Sequence, residues 1–181
     1  MEGFLVTYKI IPKDTVFEAR FEVLNLLEEI AKRYPILRKT DVIVRPGNYK
    51  GIILVDFRRI FSKLDEEVIK DIQKNLEETY QKMREERRLR YIQRFIIFDK
   101  IVDTDVNSIV SAVHELKDLV RGKWRITLKT RKYPIDKQTL IRKAAEPINY
   151  PVDLENPDYV VLIEIMGPLT GITVLRTKSS K

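Results

Sequence analysis

Apolar positions along this 181-residue chain alternate between short continuous runs and longer sets at helical spacing. Residues 4–11 form a mostly apolar run closed by Pro12, which reads as a strand. Thr15 with Glu18 has the pattern of a capping box. Behind it Phe17, Phe21, Leu24, Leu27, Ala31 and Tyr34 recur at helical spacing, so these six are expected to face the core, with Pro35 stopping the helix. Residues 42–45 and 52–57 read as short strands joined by the turn-rich link Pro46-Gly47-Asn48-Tyr49-Lys50-Gly51. Ser62 and Asp65 open a second helix with Leu64, Val68, Ile72, Leu76 and Met83 on one face, and residues 94–101 read as one more strand. The order β-α-β-β-α-β is the ferredoxin-like split βαβ arrangement, expected over residues 1–94.

RNA-recognition motifs share that order. The segment Lys50-Gly51-Ile52-Ile53-Leu54-Val55-Asp56-Phe57 aligns with their third-strand signature. Ile52 and Leu54, however, stand where that motif places base-stacking rings, and an aliphatic side chain has no π face. The first domain is therefore expected to be structural or to serve docking. Lys82, Arg84, Arg87, Arg88, Arg90 and Arg94 cluster at the end of its long helix, where cations also complement the helix dipole.

In the second half, Thr104 is placed to cap a helix carrying Val106, Ile109, Val110, Val113, Leu116 and Val120, which Gly122 breaks. From 123 to 132, Trp124, Ile126 and Leu128 alternate with Lys123, Arg125, Thr127, Lys129 and Arg131. A period of two puts the first set on a core face and the cations on the other. Asp136 is placed to cap a short helix bearing Leu140, Ile141, Ala144 and Ala145, with Lys137, Arg142 and Lys143 outward. Its N-terminus beside Arg131 and Lys132 is an expected anion site. Residues 159–165 are apolar except Glu164, as in a central strand. Residues 167–171 read as a turn into a last strand at 172–175, and no phosphate-binding loop pattern is present.

Charge sharpens this picture. Residues 1–120 hold 22 basic and 21 acidic side chains, whereas residues 121–181 hold 12 and 6, so nearly all of the net +7 lies in the last third. Such asymmetry points to a polyanionic partner for the C-terminal part. The chain has no cysteine and one histidine, which excludes thiolate chemistry and two-histidine metal sites. His114 lies beside the apolar stripe of its helix with no paired nucleophile, and no Asp or Glu spacing marks an acid–base pair. No run of about 18 apolar residues occurs, and the N-terminus lacks a basic leader. The chain is expected to be cytoplasmic and free of membrane, metal and cofactor.

The run Trp124-Arg125-Ile126-Thr127-Leu128-Lys129-Thr130-Arg131, a short helix, then Val152-Asp153-Leu154-Glu155-Asn156-Pro157-Asp158 and an apolar strand resembles a THUMP domain. The expected organisation is thus α/β (α+β), a ferredoxin-like domain at 1–94 followed by a THUMP domain at 95–181. The resemblance implies binding of tRNA at the acceptor stem and 3′ CCA end. The chain looks most like stand-alone members, such as the accessory protein of tRNA N4-acetylcytidine formation. That implies a non-enzyme that presents tRNA to a separate RNA cytidine acetyltransferase. The RNA-binding residues expected are Lys123, Arg125, Lys129, Arg131, Lys132, Lys137, Arg142 and Lys143, with no catalytic residue. The competing expectation is a protein–protein adaptor whose basic face meets an acidic partner.

Overall fold

The computed structural model describes residues 1–177 and builds two separate four-stranded sheets. The chain divides into the units Met1–Ile97 and Phe98–Lys181. Among the described residues no helix is long and apolar enough to cross a membrane.

The first unit comprises β1 (Gly3–Tyr8), α1 (Val16–Ala31), β2 (Asp41–Val44), β3 (Ile52–Asp56), a short α2 (Arg58–Phe61), α3 (Glu66–Glu85) and β4 (Ile92–Phe98). Its sheet order is β2-β3-β1-β4, the ferredoxin-like arrangement, with β3 antiparallel to both β1 and β2. Phe4, Val6, Ile53 and Val55 share one core with Val23, Leu26 and Ile30 of α1 and Ile72, Leu76 and Met83 of α3. Ile52 and Leu54 are 4% and 0% exposed. The strand that mimics the RNA-recognition signature therefore offers no open platform.

Helix α1 corrects the sequence expectation. Its buried residues are Val16, Ala19, Glu22, Val23, Leu26, Leu27, Ile30 and Ala31, while Phe17, Phe21 and Leu24 are exposed. Two apolar stripes overlap on this helix, and buried Glu22 disguised the inward one. Its carboxylate accepts hydrogen bonds from the amides of Arg90, Tyr91 and Ile92. Nor does the capping box form. Thr15 Oγ1 donates to the Lys9 carbonyl, Asp14 accepts from the Val16 amide, and Glu18 pairs with Lys13 at 3.0 Å.

The strand expected at 94–101 is in fact two. β4 ends at Phe98, and β5 (Lys100–Asp103) joins the other sheet. Asp99 makes the break, accepting from Thr173 Oγ1 at 2.8 Å and the Val174 amide at 3.2 Å. The second unit continues with α4 (Val106–Leu116), β6 (Trp124–Lys129), α5 (Lys137–Ala145), β7 (Tyr159–Met166) and β8 (Leu169–Arg176). Its order is β5-β8-β7-β6, with β6 parallel to β7 and the other pairs antiparallel. Glu164 does sit in a central strand. Asp105, rather than Thr104, caps α4 by accepting from the Ser108 amide at 2.7 Å, because Thr104 is engaged with Thr170. The last hairpin turns on Gly167 and Pro168 alone, so Gly171 falls inside β8, where an added Cβ would lie 2.3 Å from the Phe98 ring.

Candidate nucleic-acid interface

β6 is an edge strand whose inner residues Trp124, Ile126 and Leu128 join the core of the second unit. The loop that follows α5 returns alongside its start. Trp124 donates from its amide to the Pro151 carbonyl at 3.1 Å and from Nε1 to the Tyr150 carbonyl at 2.9 Å, and its own carbonyl accepts from the Asp153 amide at 2.9 Å. Asp153 Oδ1 then accepts from the amides of Glu155 and Asn156, holding the loop in an Asx-type turn. The Asp158 amide donates to the Lys123 carbonyl at 2.8 Å, and Pro157 is buried. The two sequence segments that pointed to one module are therefore bonded to each other.

The cations of β6 and its following turn are largely engaged within the unit. Lys123 lies 4.0 Å from Asp153. The Arg125 guanidinium donates to the Leu154 carbonyl at 2.8 Å. Lys129 and Arg131 both converge on Glu164, at 3.8 and 3.1 Å, and Arg131 also donates to the Ile165 carbonyl at 3.0 Å. Glu164 is wholly buried, so Arg131 is first of all the counter-charge of an interior carboxylate. Arg131 and Lys132 carry positive φ of 49° and 62°. That tight reversal folds the Arg131 side chain back to the sheet and leaves Lys132 exposed.

Helix α5 presents the remaining three. Lys137, Arg142 and Lys143 are exposed and, like Lys132, make no salt bridge among the described residues. With about 100° per residue, Arg142 lies opposite the buried Leu140 and Ala144, Lys143 lies to one side of it, and Lys137 projects from the first turn near the direction of Ala144. Asp136 caps this helix as expected, accepting from the Thr139 hydroxyl at 2.7 Å and the Thr139 amide at 3.1 Å. Those bonds, the hydroxyl first, hold the Asp136 carboxyl below its ordinary pKa. The Asp136 carboxylate thus already takes one amide of the helix N-terminus at which the sequence leads one to expect an anion. His114 is half-buried and its Nε2 meets the Lys143 carbonyl at 3.0 Å, joining α4 to α5.

Sequence reasoning missed a polar groove of about 590 Å³ lined by Lys117, Arg121, Asn149 and Tyr150 among others. Its two walls come from segments some thirty residues apart, and neither carries a local signal. The eight expected residues and this groove all belong to the second unit.

No family model and no curated protein matches the chain. Solved structures do. PH1313 from Pyrococcus horikoshii superposes over 99% of this chain and 56% of its own, at 19% identity and a TM-score of 0.59. TrmN from Thermus thermophilus matches over 98% of this chain and 46% of its own, at 14% identity and a TM-score of 0.44. A 4-thiouridine synthetase solved with RNA and ATP matches over 97% and 42%, at 18% identity and a TM-score of 0.48. The chain spans about half the length of these proteins, and the likeness to PH1313 is one of fold.

Proposed function

We propose that this chain is a tRNA-binding protein, with a THUMP domain over residues 95–181 behind a ferredoxin-like domain. It holds the acceptor stem and 3′ CCA end and presents the tRNA to a separate modifying enzyme, an RNA cytidine acetyltransferase. The observation that carries this reading is the placement of charge. The excess of cations lies in the last third, and among the described residues Lys132, Lys137, Arg142 and Lys143 make no salt bridge along one stretch of chain, whereas the β6 cations have internal partners. Unpaired surface cations suit phosphates. Leu140 and Ala144 in the core and the contact of His114 Nε2 with the Lys143 carbonyl hold α5 in place. Arg125, Lys123, Lys129 and Arg131 then act mainly by shaping the surface.

The test compares intact tRNA with the same tRNA lacking its 3′ CCA, followed by acetylation with and without the purified acetyltransferase. Tighter binding of the intact RNA is expected, with product formed only when both proteins are present. Equal affinity for the two RNAs rejects end recognition. Modification by this chain alone rejects the accessory role.

A further inference from the structure

We propose that the outer face of α1 is a docking site for an acidic amphipathic helix of a separate protein. Phe17 and Phe21 are 81% and 66% exposed, and with the exposed Leu24 they form an i, i+4, i+7 ridge. The core side of this helix is already supplied by Val16, Val23, Leu26 and Ile30, so the ridge is surplus to folding. Contiguous exposed apolar side chains rimmed by polar residues mark interaction surfaces. A hollow lies on each side of the ridge. One, of about 560 Å³, runs between Phe17 and Phe21 and the Arg87, Arg90 and Tyr91 side. The other, of about 470 Å³, runs between Phe21 and Leu24 and the Leu37 and Val42 side. A ridge between two grooves is what a second helix packs against, its own rows filling the hollows.

Charge selects the occupant. Along this face Glu18 is paired with Lys13, Glu28 with Arg38, and Glu29 with Lys32 and Arg88. The Glu22 carboxylate is taken by backbone amides. Arg87 makes no salt bridge among the described residues, and among them the Arg90 side chain donates from Nε to the Arg87 carbonyl and meets no carboxylate. Two guanidinium groups beside an apolar ridge call for carboxylates at one end of the incoming helix. An RNA backbone needs cations along its length, whereas the guanidinium groups of Arg87 and Arg90 flank the ridge at one end. A second copy of this chain offers no unpaired carboxylate on its own α1. The site lies on the first unit and stands independently of the tRNA reading.

The test places a photo-crosslinking benzoylphenylalanine at position 21 of the full chain in its native host and maps the joined peptide by mass spectrometry. The expected product is one protein segment with apolar residues at helical spacing and carboxylates on one flank. That protein, purified, is then titrated against the wild type, Phe17→Ser/Phe21→Ser and Arg90→Glu. More than roughly tenfold weaker binding is expected for the double variant and about tenfold for Arg90→Glu, with melting curves unchanged. Lysine in place of the mapped carboxylates should restore binding to Arg90→Glu. Cross-linking to RNA or to a second copy, no protein product, or wild-type affinity in the double variant would overturn the proposal.

Discussion

Two buried glutamates carry much of the local order. Glu22 in α1 reaches three consecutive amides at the start of β4 and so ties a helix to the strand that closes the first sheet. Removing it leaves those donors without their acceptor, at about 1–3 kcal/mol for each one left dry. Glu22→Ala is therefore expected to lower unfolding stability by at least about 2 kcal/mol, read from urea midpoints. Glu22→Gln, which keeps an acceptor oxygen, should lose less. Glu164 plays the corresponding part in the second unit, with Arg131 at 3.1 Å and Lys129 at 3.8 Å. Breaking a buried pair by removing one partner costs about 3–5 kcal/mol, so Arg131→Ala should destabilise the fold far more than Arg142→Ala. Any loss of RNA affinity in Arg131→Ala must be read beside its melting curve, whereas Arg142 and Lys143 report on the surface itself.

Among the elements, α5 shows how a cap and a charge pattern share one helix. Asp136 holds its first turn, and its folded pKa is depressed by the bonds to Thr139. A depressed carboxyl stabilises the fold fully above its unfolded pKa of about 3.9. That contribution is lost as pH falls through the lower folded value. Asp136→Asn should accordingly flatten the acid limb of a melting-temperature profile as pH falls below the ordinary carboxylate range, leaving the profile above it parallel to wild type. An unchanged acid limb would show that the cap bonds carry no linkage. In β8 the constraint is steric. Gly171→Ala would set a methyl 2.3–2.4 Å from three atoms of the Phe98 ring, where overpacking costs typically 1–3 kcal/mol. A thermal shift of several degrees is expected, and Phe98→Leu should partly relieve it.

For the whole molecule, the charge asymmetry becomes measurable through salt. Binding that neutralises several phosphates falls with a log–log slope of roughly 0.7 to 0.9 per contact. Replacing Lys132, Arg142 and Lys143 together should flatten the slope by about two units. Lys132 is best changed to Gly, which keeps its positive φ of 62° without strain. An unchanged slope would remove this surface from the RNA interface.

Pattern and spacing along the chain determined the first sheet's connectivity, the alternation that buries Trp124 and packs Ile126 and Leu128 against the core, the central position of Glu164 and the Asp136 cap, because each rests on neighbours within a few positions. Tertiary structure decided the rest. Which of two apolar stripes of α1 faces inward depends on a glutamate answering amides nearly seventy residues away. The strand at 94–101 splits because Asp99 is claimed by β8. Whether a β6 cation is open to a phosphate or held by a buried carboxylate turns on which residue β7 places beside it, and in the parallel register that residue, opposite Lys129, is Glu164. Local periodicity reports which face a residue occupies. The partner waiting on that face comes from elsewhere in the chain, and only the folded arrangement supplies it.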